Sequence, residues 1–120
     1  MEAMGMIQAA AGLFAVAAVG GIVMAAIRMV GKRNPPNGLA MAHGFLAVAG
    51  LTLLIYAALT VGLPGRAMTA LVLLVVAAAG GVVLNLAYQT KQRPLPIGFM
   101  LGHAALAVVA FLLLLSAAFG

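Results

Sequence analysis

The chain is apolar almost without interruption, and its information lies in the interruptions. Four apolar runs, residues 7–30, 39–61, 67–90 and 97–119, are separated by three short polar stretches. The separators are Gly31-Lys32-Arg33-Asn34-Pro35-Pro36-Asn37-Gly38, Gly62-Leu63-Pro64-Gly65-Arg66 and Lys91-Gln92-Arg93-Pro94-Leu95-Pro96. Proline cannot continue a helix and glycine permits angles other residues avoid, so each separator is a turn. Inside the runs every helical face is apolar, and periodicity does not choose between faces. Length does: at 1.5 Å per residue each run spans about 30 Å of hydrocarbon or more. Barrel strands would instead alternate apolar and polar positions over about 10 residues. The pattern predicts an all-α polytopic membrane protein, a four-helix transmembrane bundle. The short second turn makes the second and third helices antiparallel neighbours. Asn37 is the expected N-cap of the second helix.

Composition sharpens this picture. Hydrophobic residues make up 67% of the chain, charged residues 6%, and the mean hydropathy is +1.28. A soluble domain has only so much interior, so the bilayer must serve as solvent. A single transmembrane domain, residues 1–120, is expected. The absence of cysteine excludes disulfides, thiolate metal sites, iron–sulfur ligation and c-type haem attachment. The net charge of +5 does not indicate a nucleic-acid partner, because the basic residues flank the spans and act as topology determinants. Arg28, Lys32, Arg33, Lys91 and Arg93 adjoin the first and third turns, whereas Arg66, Glu2 and both termini lie at the other end. The positive-inside tendency then puts the two basic turns in the cytoplasm and both termini outside, in a bacterial cytoplasmic membrane. The N-terminal stretch has no Lys or Arg, and the run after it is too long for a signal-peptide core, so it reads as a retained span.

Shifting the chain by 60 residues aligns its halves, residues 1–60 and 61–120, without a gap. Gly20-Gly21 falls on Gly80-Gly81, Arg33 on Arg93, Pro36 on Pro96, Gly38 on Gly98 and His43 on His103. Ala/Leu/Val matches are cheap in such a composition, but these are not. The reading is a duplicated helical hairpin. Each copy has an even number of spans, so the copies share one orientation about an axis along the membrane normal. His43 and His103 then sit at one depth, roughly 7 Å beyond Gly38 and Gly98, on diagonal helices that face each other across the core.

These are the only histidines in the chain, and ionisable groups within a membrane are usually functional. The leading expectation is that His43 and His103 are both axial ligands of one haem b. Ala40, Ala47 and Gly50 share the face of His43, and Ala107 and Ala110 share that of His103, beside Phe99 and Met100; such small residues leave room for a flat cofactor. Gly20, Gly21, Gly80 and Gly81 are expected to flank the site from somewhat deeper in the bilayer, or else to serve helix contact. Arg28, Lys32, Arg33 and Arg93 suit propionates. Asn85, near histidine depth, suits the second nitrogen of an imidazole.

In its four spans, His43, His103 and these glycines the chain resembles small four-helix membrane b-type cytochromes, in the general manner of the cytochrome b561 group. The resemblance implies bis-histidine haem and electron transfer, exchanged with a redox partner or quinone on the cytoplasmic side. The chain departs from the usual pattern of two haems and two histidine pairs, so only the ligand logic carries over.

Three other readings compete. A bare metal ion would want Cys, Asp or Glu ligands that the spans lack; Met41 and Met100 near the histidines, and the Met1, Met4, Met6 cluster, suit Cu(I) only weakly and are more simply packing residues. Small multidrug transporters match the size and four spans, but rely on a carboxylate in the first span that is absent here. Finally, the histidines could merely hold the bundle together, in an accessory subunit of a larger complex or a homo-oligomer. Tyr56, Tyr88, Thr52, Ser116 and Gln89 read as interfacial anchors or helix-to-helix hydrogen bonds. No nucleophile–base pair, phosphate loop or carboxylate dyad exists, which argues against hydrolytic and phosphoryl-transfer chemistry.

Overall fold

Proline and glycine set the helix limits. In the computed structural model, which describes residues 2–120, the helices are α1 (Ala3–Met29), α2 (Asn37–Thr60), α3 (Gly65–Leu84) and α4 (Ile97–Phe119). Met1, and with it one member of the N-terminal methionine cluster, lies outside the described residues. Pro36, Pro64 and Pro96 occupy the N-cap positions of α2, α3 and α4. Asn37 is therefore not the N-cap of α2 but its first helical residue, and no side chain caps that helix. All four helices are long and apolar enough to cross a membrane, and the bundle measures 43 × 22 × 18 Å. The four-helix transmembrane architecture is as expected. Packing is closest within the pairs α1–α2 and α3–α4; α1 also lies along α4, α2 touches α3 less, and the diagonal pairs scarcely meet.

Burial identifies the inward faces that uniform apolarity conceals. On α1 the buried positions are Met6, Ile7, Ala10, Ala11, Phe14 and Ala17; on α3 they are Ala67, Ala70, Leu71, Leu74, Ala77 and Leu84. Apart from Met6 and Leu84 they are the same positions in the two repeats, spaced by three and four residues as one helical stripe requires. Gly50 and Leu54 on α2 match the buried Ala110 and Leu114 on α4. Most of these residues form one core in the half of the bundle that holds the termini. Because lipid is as apolar as leucine, this core gains its stability from close van der Waals packing, for which small residues suit best. Val16, Val19, Ile22, Val72, Val76, Val108 and Leu112 instead lie exposed on the outer surface, the arrangement a lipid solvent favours.

The other half ends in the two basic turns, which are tied to each other. Lys32 and Gln92, at matched positions, both have φ of 55°, the left-handed geometry that ends helices. Asn34 donates from Nδ2 to Arg93 O (2.7 Å) and accepts at Oδ1 from Leu95 N (3.0 Å). Arg28 Nε donates to Leu95 O (2.9 Å), and Gln89 Nε2 donates to Pro35 O (2.7 Å) and Asn37 Oδ1 (2.9 Å). Carbonyls 35 and 95 are repeat-equivalent, so each turn is held by a side chain from the other half.

The second of these ties depends on a departure from α-helix. The third run is not α-helical to Thr90: Asn85–Gln89 forms a π turn, with Thr90 N donating to Asn85 O (2.9 Å). A π turn adds a residue to the helical cycle. It brings Gln89, rather than Tyr88 as the repeat alone would dictate, to the buried position facing Pro35. Thr52 and Ser116 do not bridge helices; each bonds a carbonyl of its own helix, Val48 O (2.8 Å) and Leu113 O (2.7 Å).

Candidate functional site: a paired histidine layer

Each histidine is held by the other helix of its own hairpin. His43 Nδ1 lies 2.7 Å from Ala17 O, and His103 Nδ1 lies 2.7 Å from Ala77 O. A carbonyl only accepts, so each Nδ1 carries the proton and donates. The ring's remaining lone pair is then on Nε2. Among the described residues these are the only hydrogen bonds of either ring.

The glycine pairs explain why those carbonyls are reachable. Within a helix, Ala17 O already receives the amide of Gly21, and its second lone pair is normally covered by side chains three and four residues on, which lean toward the helix N-terminus. Here those residues are Gly20 and Gly21, and at the second site Gly80 and Gly81. The imidazole fills the space a side chain would take. A Cβ on Gly21 would stand 3.1 Å from His43 Cε1, and one on Gly81 would stand 3.2 Å from His103 Cε1. The glycines are thus level with the rings and in contact with them, not deeper as the sequence implied. Depth counted along two separate helices ignores the reach of the imidazole, which leans across to them.

The two rings meet across the bundle. Their centroids are 6.4 Å apart and their planes are inclined by 76°. At the roughly 2 Å length of an imidazole–metal bond, two rings sharing one ion have centres about 6 Å apart. Each ring thus keeps one unprotonated nitrogen, and the two rings stand edge to face across the bundle. A bare ion is less well served, because among the described residues no group of three or more His, Cys, Asp or Glu comes together. Met41 is exposed and Met100 is buried, so the two do not form a matched sulfur pair.

Other expected site residues fall elsewhere. Asn85 begins the π turn and is not the imidazole partner, since both Nδ1 atoms are taken by carbonyls. Ala47 packs against the core and Ala107 is half-buried. Gly50 leaves no room beside His43, because the Phe14 ring fills it: a Cβ there would lie 2.6 Å from Phe14 Cε2. Arg93 is turned to its own helix end, with Nη1 donating to Ala87 O (3.2 Å) and its guanidinium 4.9 Å from the centre of the Tyr88 ring. Arg28, Lys32 and Arg33 line a cleft between the turns. Buried Leu84, Leu95 and Met100 lie along the chain between the histidine layer and that cleft. What sequence reasoning missed was the carbonyl partner, and its signal was present: Ala17 and Ala77 precede their glycine pairs and their histidines by identical spacings.

A second, apolar groove opens on the outer face between α3 and α4, lined by Val76, Gly80, Phe99, Gly102, His103 and Leu106. No family model, characterised protein or solved structure matches this chain.

Proposed function

We propose that this protein is a membrane b-type cytochrome, in the general manner of the small four-helix cytochromes it resembles, with His43 and His103 as axial ligands of one haem. The observation that carries this reading is the pair of Nδ1-anchored imidazoles with centres 6.4 Å apart. A ligating histidine typically donates its other ring nitrogen to a carbonyl, which fixes the tautomer and raises the basicity of the ligating nitrogen. The carbonyls of Ala17 and Ala77 serve that purpose, and the glycine pairs keep the rings against them. When bound, haem would supply one-electron redox chemistry. The protein's part is to hold both imidazoles in one tautomer and orientation within an apolar bundle. The exchange partner would be a redox protein or quinone on the side of the basic turns. On charge grounds that side is the cytoplasm of a bacterial cell, with both termini outside.

The deciding experiment is the visible spectrum of protein purified in detergent from haem-replete cells. A low-spin spectrum with a sharp split band on reduction is expected, and His43→Ala and His103→Ala should each abolish it or make it high-spin. A colourless, folded protein with both histidines intact would overturn the proposal. It would favour a second reading that the hydrogen bonds also support: each histidine as a clasp joining the helices of its hairpin, in an accessory subunit of a larger complex.

A further inference from the structure

The repeat supplies an internal control for the π turn. Arg28 and Tyr88 are equivalent positions, as are Met29 and Gln89. In the first half α1 runs as α-helix through Arg28 and Met29, and Arg28 Nε reaches Leu95 O (2.9 Å). Met29, one residue on, is 44% exposed. In the second half the π turn moves this pattern by one residue. Gln89 is buried and takes Pro35 O, while half-buried Tyr88 lies against the Arg93 guanidinium. Chain length does not force the difference. Both turns have the same number of residues, and Lys32 and Gln92 share the same φ of 55°. The α register is therefore a backbone solution that this protein already uses.

Side chains hold the π register, and they hold it imperfectly. Gln89 Nε2 donates to Pro35 O and Asn37 Oδ1 (2.7 and 2.9 Å), which leaves Oε1 sealed from solvent and without a partner. A sealed acceptor with no donor is destabilising. The π turn also takes the amide of Thr90 to Asn85 O (2.9 Å), so Leu86 O loses its α-helical donor and is met by Thr90 Oγ1 instead (3.2 Å). In an α register Thr90 N returns to Leu86 O. Gln89 moves to the exposed place that Met29 has, where water meets both ends of its amide. Tyr88 then stands where Arg28 stands, and its hydroxyl can donate to Pro35 O.

We propose that the end of α3 is a two-state latch: residues 85–89 exchange between this π turn, with Gln89 on Pro35 O, and an α turn, with Tyr88 on Pro35 O. The exchange has two consequences. The tie from Gln89 to Asn37 is released, so the start of α2, six residues before His43, loses its hold on α3. Tyr88 also leaves the guanidinium of Arg93, which is then free on the face of the basic turns. Single π turns within helices are frequent at functional sites, and this one sits between those turns and the helix that carries His43. The latch does not rest on the haem reading, since no ligand enters it.

Helix register shifts fall in the microsecond-to-millisecond range, so the test is nitrogen-15 relaxation dispersion on the intact protein in lipid nanodiscs. The parent should show exchange at the amides of residues 85–90 with one common rate, and flat profiles at residues 70–80. The minor state should hold roughly 1–10% of molecules, the upper part of the usual range for such states. Gln89→Met gives the second half the residue that the first half has. It should make the α turn the major state, with amide shifts equal to those of the parent's minor state. Tyr88→Phe removes the hydroxyl but keeps the ring beside Arg93. It should lower the minor population about fivefold, the loss of about one hydrogen bond, and leave the π-turn shifts in place. In both variants the Nδ1–H resonances of His43 and His103 should persist, which reports a folded bundle. Flat profiles at residues 85–90 in the parent would overturn the proposal, as would a folded Gln89→Met protein that retains the π-turn shifts. So would an exchange that Tyr88→Phe leaves unaltered, because Tyr88 would then not be what replaces Gln89.

Discussion

The sharpest test of the packing exchanges one pair of residues between the repeats. In the first half Phe14 lies over Gly50; at the matched positions of the second half stand Leu74 and Ala110, and Phe14, Leu74 and Ala110 share the core. Gly50→Ala places a methyl 2.6 Å from Phe14 Cε2 and 2.9 Å from Cδ2 and Cζ. Carbon atoms pack best at about 3.5–4.0 Å, so the ring must retreat by about 1 Å. Phe14 is 7% exposed and has nowhere to go, and overpacking of this kind costs about 1–3 kcal/mol. Phe14→Leu alone opens a void and costs about 1 kcal/mol, mostly lost dispersion, because lipid offers no penalty for apolar exposure. The double variant installs the pair already used in the other half. It is expected to lie within about 0.5 kcal/mol of the parent, which makes the coupling between the sites about 2 kcal/mol. Steric-trapping unfolding in bicelles measures these free energies directly. A Gly50→Ala protein as stable as the parent would refute the contact, and a double variant at the sum of its singles would refute the complementarity.

Two further outcomes follow from the same glycine geometry. Gly21→Leu and Gly81→Leu should each push an imidazole off its carbonyl, because even a Cβ stands 3.1 or 3.2 Å from Cε1; nitrogen-15 NMR should then show mixed histidine tautomers, whereas retention of the Nδ1–H form would sink the clasp geometry. Single cysteines at Gly38, Gly98 and Gly65, where an added Cβ meets nothing within 4 Å, should report topology: the first two are expected to resist impermeant thiol reagents in intact cells and the third to react, and the opposite pattern would reverse the orientation.

How much of this was legible beforehand depends on which physical signal each feature leaves. Helix number and limits were readable because proline and glycine act locally, and the Pro36, Pro64 and Pro96 boundaries coincide with the turns. The buried faces were not readable from periodicity, since Val16 and Ala17 are equally apolar and only Ala17 is buried. They were hidden in size rather than polarity, as a membrane core requires. The π turn left no local signal: Asn85, Leu86, Ala87, Tyr88 and Gln89 continue an ordinary helical run. Its cause is tertiary, the burial of Gln89 against Pro35 O. The repeat marks the histidine pair, but not its partners, because a backbone carbonyl has no letter in the sequence. Asn85 is the polar side chain at histidine depth on α3, but it lies in the π turn and not against either ring.

Joined together, these features account for why two rings meet at all. A clasp within one hairpin uses only Nδ1: a glycine pair exposes a helix carbonyl, and a histidine 26 residues after the alanine that owns it donates to it. Each copy therefore leaves an Nε2 lone pair unused, at a depth fixed by its own hairpin. Neither hairpin alone has any use for it. Packing the two copies side by side in one orientation brings the two rings to one level, with their centres 6.4 Å apart. A facing pair of imidazoles is thus a consequence of duplicating a one-histidine clasp. The dense core in the opposite half, built from Ile7, Phe14, Leu54, Leu71, Leu74 and Leu114, is what holds the two copies in that register. Loosening the core should therefore separate the rings without touching either histidine, whereas breaking a clasp should free one ring and leave the bundle standing.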